Sequence, residues 1–353
     1  MTVKYQHYDH PSAWNAADLG GKEALGEPLN QSHLEAFDKA LRHVQLKGVE
    51  TETITREEFP LDDIADSVSR WENVVQEGRG LLLLTGFPVE NYTKEECGMI
   101  YFGLGCHFGE PQSQSLMGDL LGHVVNVGGK DSRERAYRNS LELALHTDAS
   151  DIVAMMCLVK AREGGMSGYC SGPAVYNRIL ETRPDLLAPL FDGYHYHLFG
   201  EEAPGESPIT QSKIPVFSNC QGYLSTSFLR SYIELAFEEM GQEKTDKEAE
   251  ALDLFDSLAH SDEFRFNFMM EPGDIAFFNN YTVLHTRTEF NDDEDPAKRR
   301  HLLRLWLKAW NSRPLDGNIS TYKERKGIDK QKGRGTYYSG RKKYKEYAPP
   351  SSD

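Results

Sequence analysis

The segment EFRFNFMM, residues 263–270, alternates aromatic and polar side chains, the period-two pattern of a strand that buries one face. It belongs to a series. LALHTDA (143–149), DIVAMMCLV (151–159) and KIPVFSNCQGYLS (213–225) precede it. After the turn residues EPGD (271–274) come IAFFNNYTVLH (275–285) and RHLLRLWLKAW (300–310), each read as a single strand. A chain carrying so many short apolar strands has few ways to fold, because every edge must be paired or covered. Helical patterns fall between these strands: AVYNRILE (174–181) follows GGMSGYCSG, and RSYIELAFEEM (230–240) follows the 213–225 block. The pattern predicts an α+β fold, a double-stranded β-helix (jelly-roll) core with surrounding and inserted helices.

Upstream, GRGLLLLTGF (78–87) is a short apolar run bracketed by glycines and reads as a buried strand, and a helix is expected from about Thr93. Before it, QSHLEAFDKALRHVQL places Leu34, Phe37, Leu41 and Val44 at helical spacing after a Ser32 cap. Residues 1–77 are therefore read as a helical segment packed on the core, 78–312 as the jelly-roll domain with helical insertions, and 313–353 as a basic C-terminal extension. That last stretch, rich in lysine, arginine, glycine and tyrosine, contrasts with an otherwise acidic chain.

A formal net charge of -16 and a pI near 5.3 repel phosphate backbones, so nucleic acid is not expected as a partner. No run reaches the roughly 18 apolar residues of a membrane span, and MTVKYQHYDH lacks the apolar centre of a secretion signal. Five cysteines, odd in number and without a Cys-x-x-Cys pair, suggest neither a disulfide framework nor a thiolate zinc site. The expected setting is cytoplasmic.

Two His-x-Asp triplets occur, His146-Thr147-Asp148 and His260-Ser261-Asp262. On an extended strand the first and third side chains share a face, so either could offer two ligands to a metal. The first sits directly before the apolar DIVAMMCLV run, where a core strand begins. The second lies in LAHSDEF, which reads as a helix end or turn, and both of its groups are expected at the surface. A facial two-histidine, one-carboxylate centre needs a third ligand from a distant strand, and His285 at the end of IAFFNNYTVLH is the candidate. Arg300 and Arg304 also share a strand face. A cation directed into a β core needs a partner, and a carboxylate can form a bidentate pair with guanidinium; a basic strand edge, with Lys298 and Arg299 adjacent, is the competing reading.

These pieces together resemble the TauD/TfdA (taurine dioxygenase and clavaminate synthase-like) family of Fe(II)/2-oxoglutarate-dependent oxygenases, from about Gly78 to Leu307. The fragments that carry the likeness are GRGLLLLTGFP, FGLGCHFGEP, HTD at 146–148, GGMSGYCSGPAVYN at 164–177, PGDIAFFNNYTVLHTRT and RHLLRLW. The resemblance implies that His146, Asp148 and His285 are the catalytic iron ligands. It implies that Arg300 pairs with the distal carboxylate of 2-oxoglutarate, that Arg304 is the second arginine of the motif, and that Ser167 stands where the family more often has a threonine holding the same co-substrate. Related halogenases carry a small residue at the place of Asp148, so the carboxylate here disfavours halogenation.

The implied cofactors are Fe(II), 2-oxoglutarate as co-substrate, and O2. The implied reaction is oxidation of a C–H bond of a small-molecule substrate, by hydroxylation, desaturation or cyclisation, with 2-oxoglutarate going to succinate and CO2. A noncatalytic jelly-roll binding protein and a zinc hydrolase are the alternatives. Neither has a use for the full set of three ligands and Arg300. Arg138, Asn139 and Arg230 are candidate substrate contacts, and a homo-oligomer is compatible with the sequence.

Overall fold

The computed structural model describes residues 5–126, 140–322 and 326–331. Its strands in chain order begin with β1 (Gly26–Pro28), β2 (Leu81–Thr85), β3 (Gly109–Gln112), β4 (Leu121–Val124) and β5 (Leu143–His146). Then come β6 (Ile152–Val159), β7 (Glu163–Gly164), β8 (Ser167–Ser171), β9 (Phe217–Cys220) and β10 (Tyr223–Thr226). The last are β11 (Arg265–Phe268), β12 (Ile275–Asn279), β13 (Val283–Arg287), β14 (Phe290–Asn291) and β15 (His301–Ala309). The helices are α1 (Lys22–Leu25), α2 (Gln31–Lys47), α3 (Ala65–Gln76), α4 (Lys94–Gly105), α5 (Gly172–Thr182), α6 (Leu187–Asp192), α7 (Arg230–Met240) and α8 (Asp246–His260).

Two sheets make the core. A seven-stranded sheet runs β1-β2-β12-β6-β15-β3, with β4 also paired to β15, and a four-stranded sheet runs β11-β8-β13-β5. Strand alternation sorts the side chains of the larger sheet between two environments. Leu81, Leu83, Val153, Cys157, Ala276, Phe278, Leu302 and Trp306 share a buried cluster with Tyr169, Phe266, Phe268 and Val283 of the smaller sheet. Their immediate neighbours Leu82, Leu84, Ile152, Ala154, Met156, Ile275, Phe277, Leu303, Leu305 and Leu307 pack instead with α2, α3 and α4. On the outer face of the smaller sheet, Leu145, Cys170 and Leu284 pack with α5, α6 and α8. The layers are thus helix, sheet, sheet, helix. This explains why LLLL at 81–84 is apolar without alternation: both faces are covered.

Several local expectations shift by a few residues. Helix α2 is capped by Asn30, whose side chain accepts from His33 N, rather than by Ser32. Phe37, Leu41 and Val44 are buried as the spacing required, and Thr93 caps α4 in a reciprocal box with Glu96. The 213–225 block folds into the hairpin β9–β10. IAFFNNYTVLH is two strands, not one: β12 ends at Asn279, residues 280–282 turn, and β13 continues in the other sheet. The EPGD turn is closed by Gly273 at φ +91, where a Cβ would lie 2.0 Å from the Phe87 carbonyl oxygen. Among the described residues no helix is long and apolar enough to cross a membrane. None of the five cysteines forms a disulfide, and all but Cys220 are buried.

Candidate functional site

His146 ends β5 and His285 sits in β13, and the two residues are direct register partners across the antiparallel pair. Their ring centroids are 4.1 Å apart. The Nδ1–H of His146 donates to the Ala144 carbonyl at 2.9 Å, which turns the lone pair of Nε2 toward its neighbours. Because β5 stops at His146, Asp148 is not positioned by strand alternation. Asn280, in the turn between β12 and β13, does this instead. Its side-chain oxygen accepts from Asp148 N at 2.9 Å, and its amide donates to the carbonyls of Asp148 and Ser150.

The carboxylate is then held from a third strand, by the indole N–H of Trp306 in β15, 2.8 Å from Oδ2. Asp148 Oδ1 lies 3.6 Å from His146 Nε2, and Oδ2 lies 3.7 Å from His285 Nε2. One ligand atom from each of the three residues falls within 4.8 Å of the others, the only such metal-capable group found among the described residues. Asp262, by contrast, is exposed at a turn. His260 departs from the surface expectation, since it packs against the buried Asp256, with Nδ1 3.3 Å from Oδ1.

Charge at the centre is set by burial and one arginine. Burial opposes ionisation of Asp148, yet Arg304, with Nη1 3.6 Å from Oδ2, and the two histidines hold the carboxyl well below the usual range. For His285, burial first and then His146 push the imidazole down to about 3, so it is neutral and able to ligate. Arg304 is anchored by its Nε donating to Gln114 Oε1 at 2.7 Å. It stands beside the carboxylate ligand.

Arg300 occupies a separate pocket. It is 4% exposed, its guanidinium lies 5.0 Å from the Phe290 ring centroid, and Nη1 is buried without a partner. Gly165, in the Gly-Gly of GGMS, leaves room beside it: a Cβ there would lie 3.2 Å from Arg300 Nε. Ser167 begins β8, is buried, shares a strand face with Tyr169, and pairs in register with Arg287 of β13.

A cavity of about 100 Å³ opens on His146 and Asp148, walled by Arg304, Trp306, Tyr196, Tyr232, Glu201 and Tyr322 among others. A second, of about 550 Å³, adjoins it through Glu201, Thr321 and Tyr322. Arg230 is not in the first cavity wall; it is buried in ion pairs with Glu234 and Asp253, whereas its neighbour Ser231 does line the cavity. Arg138 and Asn139 lie outside the described residues. Sequence reasoning missed Asn280, Trp306, Arg287 and Tyr322. Trp306 was recoverable, because period two from Arg300 through Arg304 reaches it; Asn280 carries no local signal.

The family model described as taurine catabolism dioxygenase TauD, TfdA family matches residues 42–306. Among curated proteins, the chain is 29% identical over 318 residues to FR-33289 synthase of Streptomyces rubellomurinus, covering 88% of this chain and 93% of that protein. It is 26% identical over 312 residues to the taurine hydroxylase-like protein SAT17 of Stachybotrys chartarum, covering 83% of this chain and 77% of that one. Solved structures with the same fold include asparagine oxygenase in complex with Fe(II), 2S,3S-3-hydroxyasparagine and succinate, at a TM-score of 0.62 and 14% identity over 80% of this chain and 93% of that one. They also include the non-heme iron oxygenase OrfP in complex with Fe and alpha-ketoglutaric acid, at 0.59 and 12% over 80% and 94%.

Proposed function

The chain belongs to the taurine catabolism dioxygenase TauD, TfdA family, and from that premise we propose which of its residues perform the family's reaction and on what kind of substrate. It is an oxidoreductase, an Fe(II)- and 2-oxoglutarate-dependent oxygenase. His146, Asp148 and His285 are the metal ligands, Arg300 and Ser167 hold the distal carboxylate of 2-oxoglutarate, and Arg304 steadies the metal carboxylate. The observation that carries this reading is the convergence of three ligand atoms, two imidazole nitrogens and one anionic oxygen, on a single point between the sheets. That donor set suits Fe(II) with open positions left on one side.

When bound, Fe(II), 2-oxoglutarate and O2 together supply the oxidising power, with 2-oxoglutarate going to succinate and CO2 as a substrate C–H bond is oxidised. The residues do the rest. The Ala144 carbonyl fixes the tautomer of His146, and Trp306 and Asn280 fix Asp148, so the ligands are oriented before metal arrives. Arg304 keeps Asp148 anionic. Arg300, buried and with an unpartnered Nη1, supplies a planar fork for a carboxylate. Phe278, Tyr169 and Leu302 wall the space between the sheets and exclude water. The substrate is a small molecule placed in the cavity beside Asp148, and hydroxylation is its default fate.

The test pairs two substitutions. Asp148→Ala should abolish 2-oxoglutarate-dependent succinate formation and weaken Fe(II) binding, whereas Asp262→Ala should leave both within roughly twofold of the parent, as for a surface change. Equal damage from the two would sink the ligand assignment.

A further inference from the structure

Two residues beyond His285 on the same strand face stands a second buried arginine that the reaction as described does not use. Arg287 is 6% exposed and pairs in register with Ser167, so both side chains point into the pocket that holds Arg300. Its Nη2 donates to the Leu141 carbonyl, but its Nε is buried without a partner. Both guanidinium groups lie against one ring, Phe290, at 4.8 Å for Arg287 and 5.0 Å for Arg300.

Two cations against one ring in a buried pocket repel one another, and burial adds to the cost of each. Burial pushes Arg300 down to about 10. The other groups that face Arg300 are Asp292, Cys157 and Tyr169. Burial drives the thiol and the phenol up, so neither carries a negative charge at neutral pH. That leaves a single carboxylate. Asp292 uses Oδ1 to accept from the backbone N–H of Arg300 at 2.8 Å, and its Oδ2 is buried without a partner. Among the described residues the pocket therefore holds two cations and one anion, and it is short by one negative charge.

We infer that Arg287 is a second recognition residue for the distal carboxylate of the co-substrate, sharing that carboxylate with Arg300, and that Asp292 limits the pocket to one incoming carboxylate. This rests on the assignment of Arg300 made above. Its consequence is specificity among 2-oxo acids: the pair of arginines makes the pocket select strongly for a negatively charged far end over a neutral one.

The experiment measures, by anaerobic calorimetric titration of the Fe(II)-loaded protein, the affinities of 2-oxoglutarate and of 2-oxopentanoate, which has a methyl group where 2-oxoglutarate has its distal carboxylate. Arg287→Gln should weaken 2-oxoglutarate by roughly tenfold or more while changing 2-oxopentanoate by less than about twofold, because only the former meets the guanidinium. Arg287→Lys should recover part of the loss, keeping charge without the fork. Asp292→Asn, which retains the oxygen that accepts from Arg300 N, should tighten 2-oxoglutarate about threefold or more by removing the competing anion.

A purely structural role for Arg287 predicts that both oxo acids weaken together, and that outcome overturns the inference. So does an Arg287→Gln protein that keeps the parental preference between the two acids while Arg300→Gln loses it. If Arg287→Gln does not fold, an Asp292→Asn protein with parental affinity for 2-oxoglutarate decides against the proposal. Failure of the parent itself to bind 2-oxoglutarate would instead count against the assignment of Arg300.

Discussion

At the scale of single residues, the proposed metal centre depends on a side chain that is not one of its three proposed ligands. Trp306 donates its only polar hydrogen to Asp148 Oδ2 and at the same time packs in the cluster between the sheets. Trp306→Phe keeps most of the apolar volume and removes the hydrogen bond. Loss of such a partner to a ligand typically costs 10–100-fold in metal affinity, so Fe(II) affinity should fall by roughly tenfold while thermal stability changes little. A variant that binds iron as tightly as the parent would show that Asn280 alone orients the carboxylate. The three proposed ligands were legible in the sequence through their residue types and the His-x-Asp spacing, although Asp148 lies beyond the end of β5 and strand alternation does not place it. What holds them was not legible: Asn280 acts across 132 residues, and no local pattern ties it to Asp148.

The elements show the same division between what period two reveals and what pairing adds. EFRFNFMM and RHLLRLWLKAW announce strands with defined faces, and β11 and β15 lie where those patterns put them. IAFFNNYTVLH reads as one strand because its apolar character is unbroken, yet at Asn280 the chain crosses from one sheet to the other. Every residue of both halves except the half-buried His285 is buried, so composition carries no mark of the crossing.

Strand β15 also carries a titratable pair at its start, where His301 Nε2 and His123 Nδ1 of β4 are 2.9 Å apart. Burial, then His123 and Lys94, lowers His301 from 6.5 to about 4. The unfolded chain therefore binds a proton that the folded chain refuses between those values, and folding stability must fall as pH drops from about 6.5 toward 4. Replacing His301 by Gln should flatten that part of the slope, read as the difference in urea midpoint between pH 7 and pH 5. An unchanged difference would mean that this pair does not contribute to the acid sensitivity.

On the scale of the whole molecule, the described part of the basic C-terminal segment is more than a solvated tail. Ile319 and Ile328 are buried, Gly327 bridges to Ser113, and Thr321 and Tyr322 form part of the cavity wall beside Asp148. Removing the chain from Thr321 onward deletes no proposed ligand for metal or co-substrate, so both affinities should stay close to those of the full chain. Substrate-stimulated succinate formation should fall, by roughly tenfold or more, because a wall that positions the reacting carbon is lost. Equal stimulation in the truncated protein would place the substrate on the opposite side of the cavity.

The buried cysteines carry a consequence for how long such an enzyme lasts. A protein that handles O2 beside a redox metal is exposed to stray oxidants of its own making, and sulfur is attacked chiefly as thiolate. Burial pushes Cys97 up to about 11 and Cys106 and Cys157 up to about 12. At neutral pH a thiol with a pKa near 12 is ionised about once in a hundred thousand molecules. The buried thiols are thus poorly able to react, and ageing of the enzyme during turnover should be recorded on aromatic rings around the cavity, with Trp306 first among them, while the buried thiols stay reduced.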